Sequence, residues 1–203
     1  MRLKNWVVQQ LKKNRWQFIL LIIIFLLGML VGDHKVTGLE TGVKTHLSEL
    51  VDNFLYINDT ENWSSHSIFI NAFVNQAKTV LAIWFLGLTV IGVPLILVVV
   101  FLRGFALGFT VSFLCHEKAG TGILISFLSV LPQNLFYIPF LIIWAVIAVN
   151  FSLYILRGRK NENIPLIAGL ITYCILLLAI MLVFLAGALV EAYLSPWFLE
   201  LFF

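Results

Sequence analysis

The stretch that decides the fold is Ala119 to Leu156, AGTGILISFLSVLPQNLFYIPFLIIWAVIAVNFSLYIL, 38 residues without a charged side chain. As one helix it would be about 57 Å long, whereas the hydrocarbon core of a bilayer is about 30 Å thick. Pro132 lacks a backbone donor and disfavours helical geometry at the residue before it. We therefore predict a membrane helix broken at Pro132, with Gln133 and Asn134 supplying hydrogen bonds to backbone groups that the break leaves free.

The composition places the rest of the chain in the membrane as well. Of the 203 residues, 61% are hydrophobic and 11% are charged, which excludes an ordinary soluble domain. The formal net charge is +3, but the basic residues lie beside apolar runs, where they set topology and do not indicate nucleic-acid binding. We predict an all-α, polytopic helical membrane protein with about five transmembrane helices, in a single membrane domain over residues 1–203.

Charge asymmetry predicts the orientation of the chain. Residues 1–15 carry five basic side chains and no acid directly before the apolar run from Trp16 to Gly32, so the amino terminus is expected in the cytoplasm. No A-x-A cleavage pattern follows this run, so the segment should remain as an anchor. A second basic cluster after Leu156 marks another inner loop. With five spans, the carboxyl terminus is expected outside.

The only long polar stretch, residues 33–70, holds six acids against two lysines and should face outward. Apolar residues recur in it at spacings of three and four, which predicts an amphipathic helix. One interpretation is that this helix caps the membrane domain or lies on the outer leaflet. The other is a docking surface for an extracytoplasmic partner. The residues expected to form that surface are Leu39, Val43, Leu47, Glu49, Leu50, Asp52 and Phe54.

The span boundaries between residues 71 and 131 have two solutions. In the first, spans at about Asn71 to Ile91 and Leu95 to Cys115 are joined by a tight turn at Gly92-Val93-Pro94. This solution leaves Arg103 at mid-membrane, where it must snorkel, pair or face a wet cavity. In the second, a span ends at Leu102 and the elements that follow are re-entrant. We favour the first because its spans are complete.

Two pairs of glycines have the small-xxx-small spacing that lets membrane helices approach closely. These helix-packing candidates are Gly28 with Gly32, and Gly104 with Gly108. Packing within one chain and a contact between two copies, as in a homodimer, both fit the motif.

The sequence contains no recognisable catalytic constellation. It has no nucleophile elbow, zinc-protease, P-loop or Rossmann signature and no pair of acids within an apolar run. His34, His46 and His66 share the polar loop without a metal-ligand spacing. We expect no catalytic site, metal or cofactor. A permease-like subunit of an ATP-binding-cassette-type transporter is the alternative function, since broken helices and mid-membrane charges also line substrate paths.

A series of motifs runs in one order over most of the chain: the basic start with its uncleaved anchor, the Gly92-Val93-Pro94 turn, Arg103-Gly104 with Leu107-Gly108, the Leu131-Pro132-Gln133-Asn134 break, and the closing Glu191-Ala192-Tyr193-Leu194-Ser195-Pro196. This series resembles the stage II sporulation protein M family. Broader members of that superfamily tend to carry Asn where this chain has Arg103, and Pro-His where it has Pro132-Gln133. These differences favour the sporulation branch.

The resemblance implies a role in endospore formation. Family members act during engulfment as the integral-membrane component of a complex with the stage II sporulation proteins D and P, which degrade septal peptidoglycan. By this resemblance the chain would be a non-enzymatic scaffold at the sporulation septum and engulfing membrane. Its expected partners are those two enzymes and membrane lipid. Nucleic acid is not expected.

Overall fold

A computed structural model describes residues 14–57, 65–89, 91–117, 131–157 and 166–202. These residues form six helices and no strand. Five of the helices, all except the one over Thr41–Ile57, are long and apolar enough to cross a membrane. The predicted all-α architecture with about five spans is confirmed. The helices are α1 (Arg15–Thr37), α2 (Thr41–Ile57), α3 (Ser65–Gly87), α4 (Gly92–Glu117), α5 (Leu131–Arg157) and α6 (Leu166–Phe202).

Helix α5 lies at the centre of the bundle. Half of its spanning segment is buried, against 17–28% for the other four spans, and all four pack against it. Most of its buried residues are apolar, and Ala145 and Ala148 are fully buried small residues that let neighbouring helices approach. This helix contains the second half of the charge-free stretch, so the element that decides the fold is also the one the others surround.

An aromatic cluster joins α5 to α3 and α6. The Trp144 indole is fully buried and donates a 3.0 Å hydrogen bond to the Val80 carbonyl of α3. The Tyr173 ring of α6 stacks on Trp144 and on Phe151, with centroids 5.3 and 4.3 Å apart, and its hydroxyl donates to the Trp84 carbonyl at 3.3 Å. Aromatic stacking of this kind adds about 0.5–1.5 kcal/mol per pair beyond buried area.

Pro132 lies in the first turn of α5, because the described helix begins at Leu131. A proline is tolerated there, since the first backbone N–H groups of a helix have no intrahelical acceptor. The preceding half of the apolar run, residues 119–130, lies outside the described residues. A second proline, Pro139, lies inside α5. Because it has no N–H, it cannot donate the helical hydrogen bond to the carbonyl of Leu135, a residue that is 76% exposed.

The first of the two divisions between residues 71 and 131 is correct, because α4 runs unbroken from Gly92 to Glu117 through Arg103. The predicted position of the preceding turn was wrong. Helix α3 ends at Gly87 and Gly92 already begins α4, with its N–H donating to the Thr89 carbonyl at 3.1 Å. A Cβ at Gly92 would overlap the Leu86 carbonyl, so the turn requires glycine there. Pro94 falls in the first turn of α4, where it is permitted.

Candidate functional site

Helices α1 and α4 have the most extensive contact of the described helix pairs, and the two glycine motifs lie at that contact. Gly28 and Gly32 of α1 face α4: a Cβ at either would overlap a backbone carbonyl oxygen, that of Phe101 or of Phe105. Gly104 and Gly108 of α4 face α1 in the same way, and a Cβ there would overlap the carbonyl oxygens of Phe25 and Met29. We call this contact the glycine seam. It places the backbones of the two helices in direct contact within one chain.

A polar cleft opens beside the glycine seam. It has a volume of about 220 Å³, well above the roughly 10–15 Å³ that one ordered water requires. One face of α4 and one face of α5 form most of its wall, with one residue each from α1, α3 and α6. Its lining residues are Phe25, Gln76, Arg103, Ala106, Leu107, Thr110, Asn134, Tyr137, Ile138, Leu141 and Phe184.

Arg103 reaches the cleft from the middle of α4, and α3 holds its guanidinium on one side. Its Nη2 donates to the Thr79 hydroxyl and, at 3.5 Å, to the Asn75 carbonyl. A central arginine in a membrane helix costs about 2.5–3.5 kcal/mol on insertion scales, so polar acceptors and a cleft that admits water lower that cost. Arg103 is thus hydrogen-bonded to α3 and lines a cleft that is large enough to hold water.

The cleft brings together residues that lie far apart in the sequence. Asn134, predicted at the break, lines the same cleft as Arg103. Gln76, Thr110 and Tyr137 were not predicted as site residues, although the polar sequence Asn75-Gln76 within a membrane span was a visible signal. Pro132 and Gln133 belong to the first turn of α5, but their side chains lie outside the described residues.

Helix α2 carries most of the predicted partner-binding residues and packs extensively on none of the other described helices. On it, Val43 and Leu50 are 44% and 53% exposed, although both are apolar, and Glu49 is exposed as well. Leu39, just before the helix, and Leu47 are half-buried. Asp52 and Phe54 continue the helix, but their side chains lie outside the described residues.

Within the described ranges, no three His, Cys, Asp or Glu side chains converge on a point that could hold a metal ion. The described residues contribute one guanidinium, two amides and two hydroxyls to the polar lining of the cleft. Such a set can bind and orient an anion, whereas general acid–base catalysis needs a group whose pKa lies near the operating pH.

The sequence model of the family described as Stage II sporulation protein M matches residues 18–196. The chain belongs to this family. The match covers all of α2 to α5 and nearly all of α1 and α6, so it includes the glycine seam and the cleft. Neither a curated protein nor a solved structure matches the chain.

Family membership and the five spans identify a multi-pass membrane protein of a sporulation family. The stage II sporulation protein M family is not a known enzyme family. The resemblance noted in the sequence is therefore confirmed at the level of the family.

Proposed function

We propose that this chain is a non-enzymatic membrane scaffold that recruits septal peptidoglycan-degrading enzymes during engulfment. The observation that carries the proposal is the match to the stage II sporulation protein M family over residues 18–196. The partners we propose are the stage II sporulation proteins D and P, and the site of action is the sporulation septum and engulfing membrane.

Helix α2 is the surface that we propose for recruitment. It is amphipathic, it packs extensively on none of the other described helices, and it leaves Val43 and Leu50 exposed. Seven residues apart, these two side chains project within about 20° of each other around the helix axis. They form one apolar face, with Leu47 between them. An apolar helix face of this kind can enter a groove on a partner protein.

The orientation that we propose presents α2 outside the cell. The basic residues of the amino-terminal segment favour a cytoplasmic start, and α1 then carries the chain across the membrane. The acidic loop 33–70 follows directly, and the remaining four spans return the carboxyl terminus to the outside. In this orientation α2 lies on the same side as peptidoglycan.

The recruitment proposal predicts a loss of partner binding in the double variant Val43→Ser, Leu50→Ser. Removing two apolar side chains from an interface should weaken it by about tenfold or more. Because α2 packs extensively on none of the other described helices, the protein level and membrane insertion should be unchanged. The measurement is co-purification of the stage II sporulation proteins D and P from sporulating cells.

The matched control is Thr45→Ala, which changes an exposed residue on the opposite side of α2. It should leave co-purification at the wild-type level. Full retention of both enzymes by the double serine variant would contradict the assignment of α2. Recovery of an ATP-binding-cassette ATPase in place of the two enzymes would favour the transporter alternative.

A further inference from the structure

The polar cleft carries a charge pattern that selects among ligands. Among the residues that the structure describes, its lining contains one cation, Arg103, and no acidic residue. Gln76, Thr110, Asn134 and Tyr137 add neutral hydrogen-bonding groups around that cation. A guanidinium with amide and hydroxyl groups beside it is a common arrangement for binding a phosphate. A cationic headgroup such as choline would find no carboxylate among these described residues and would face the Arg103 cation.

The other half of the lining is apolar. This indicates that the ligand is an amphiphile and not a soluble anion. Phe25, Leu107, Ile138, Leu141 and Phe184 give the cleft an apolar wall. Such a wall is the surface along which an acyl chain would pack, since hydrocarbon is excluded from water and gains contacts there.

The cleft is also open to the side of the bundle. Ala106 and Thr110 line it and are themselves exposed on α4. Since α4 crosses the membrane, a cleft that opens on its exposed face opens toward lipid. A lipid can therefore enter laterally, without passing through water.

We propose that this cleft binds the phosphate of an anionic phospholipid, with Arg103 as the principal contact and Asn134 and Gln76 beside it. The acyl chains lie along the apolar wall toward the surrounding bilayer. The site is separate from α2 and does not rest on the recruitment function. The polar groups of the cleft recognise a phosphate. Because the wall beside them is apolar, we infer that this phosphate belongs to a lipid.

The test is native mass spectrometry of the full chain, delipidated in detergent and mixed with equal amounts of phosphatidylglycerol and phosphatidylcholine. Both headgroups carry a phosphate, but the Arg103 guanidinium repels the quaternary ammonium of phosphatidylcholine, so the wild type should retain phosphatidylglycerol about tenfold better. Arg103→Gln should reduce this ratio to near one. The double variant Gln76→Leu, Asn134→Leu keeps the cation and should lower the ratio severalfold, so the proposal remains testable if Arg103→Gln does not fold.

The matched control is Lys78→Gln, because Lys78 is an exposed cation on α3 that does not line the cleft. This variant should keep the wild-type preference, which separates the cleft from general attraction between a basic protein and anionic lipid. A ratio near one for the wild type, or equal losses in Lys78→Gln and Arg103→Gln, would overturn the proposal. Displacement of phosphatidylglycerol by an equal concentration of inorganic phosphate would assign the cleft to a soluble anion and also overturn it.

Discussion

Replacing Gly104 by alanine is expected to destabilise the bundle by about 1–3 kcal/mol, the usual cost of overpacking. In an ordinary helix the same change is favourable by about 1 kcal/mol, because alanine has the higher helix propensity. At Gly104 the new methyl group would overlap the Phe25 carbonyl oxygen of α1. That oxygen belongs to helical backbone and cannot rotate away, so α1 and α4 must separate. Unfolding of the purified protein in detergent, followed by circular dichroism, measures the effect.

Gly169→Ala provides the matched control for the glycine seam. It lies in α6, and the nearest atom to a Cβ there is a carbon of the Tyr154 ring at 3.5 Å, an ordinary contact distance. This variant should be as stable as the wild type or more stable. Equal destabilisation at positions 104 and 169 would show that the seam is not the reason for the effect.

Trp144→Ala is expected to lower the free energy of unfolding by about 3–5 kcal/mol, the range for removing a large buried aromatic side chain. The Trp144 side chain has no exposed surface, stacks on Tyr173 and donates to the Val80 carbonyl. Its loss would leave a cavity where α3, α5 and α6 meet. The same unfolding measurement tests this prediction, with protein level in the membrane as a second readout.

A pair of phenylalanine substitutions isolates the hydrogen bond of Trp144. Trp144→Phe removes an indole N–H that donates to α3, whereas the Trp84 Nε1 is buried and has no hydrogen-bond partner among the described residues. Trp144→Phe should therefore cost more than Trp84→Phe, by about 0.5–1.5 kcal/mol. Equal stabilities for the two variants would contradict the contribution assigned to this bond.

The membrane helices could be predicted from the sequence because their signal is local. A span needs about 20 apolar residues, and runs of that length can be read directly from the chain. The same reasoning placed Arg103 inside a span, as α4 confirms. The turn before α4 was misplaced by a few residues, since Gly92 and Pro94 fit equally well in a turn and in the first turn of a helix.

The polar cleft could not be predicted because its residues come from different helices. Arg103 donates to groups of α3 that are 24 and 28 residues earlier in the chain, and it shares the cleft with Asn134 of α5. Which faces of these helices meet depends on how the bundle packs. The glycine motifs had the same limitation: spacing showed that each could support a close contact, but only the structure shows that they face each other.

We expect the membrane bundle to present α2 to the outside of the cell. Labelling of single cysteines with a membrane-impermeant maleimide tests it, after Cys115 and Cys174 are replaced by serine. His46→Cys places a thiol at an exposed position of α2, and Ile91→Cys places one in the turn between α3 and α4, at a residue that is 71% exposed. In intact protoplasts we expect labelling at position 46 and none at position 91 until the cells are lysed. Labelling at position 91 but not at position 46 in intact protoplasts would place α2 in the cytoplasm and contradict the proposed orientation.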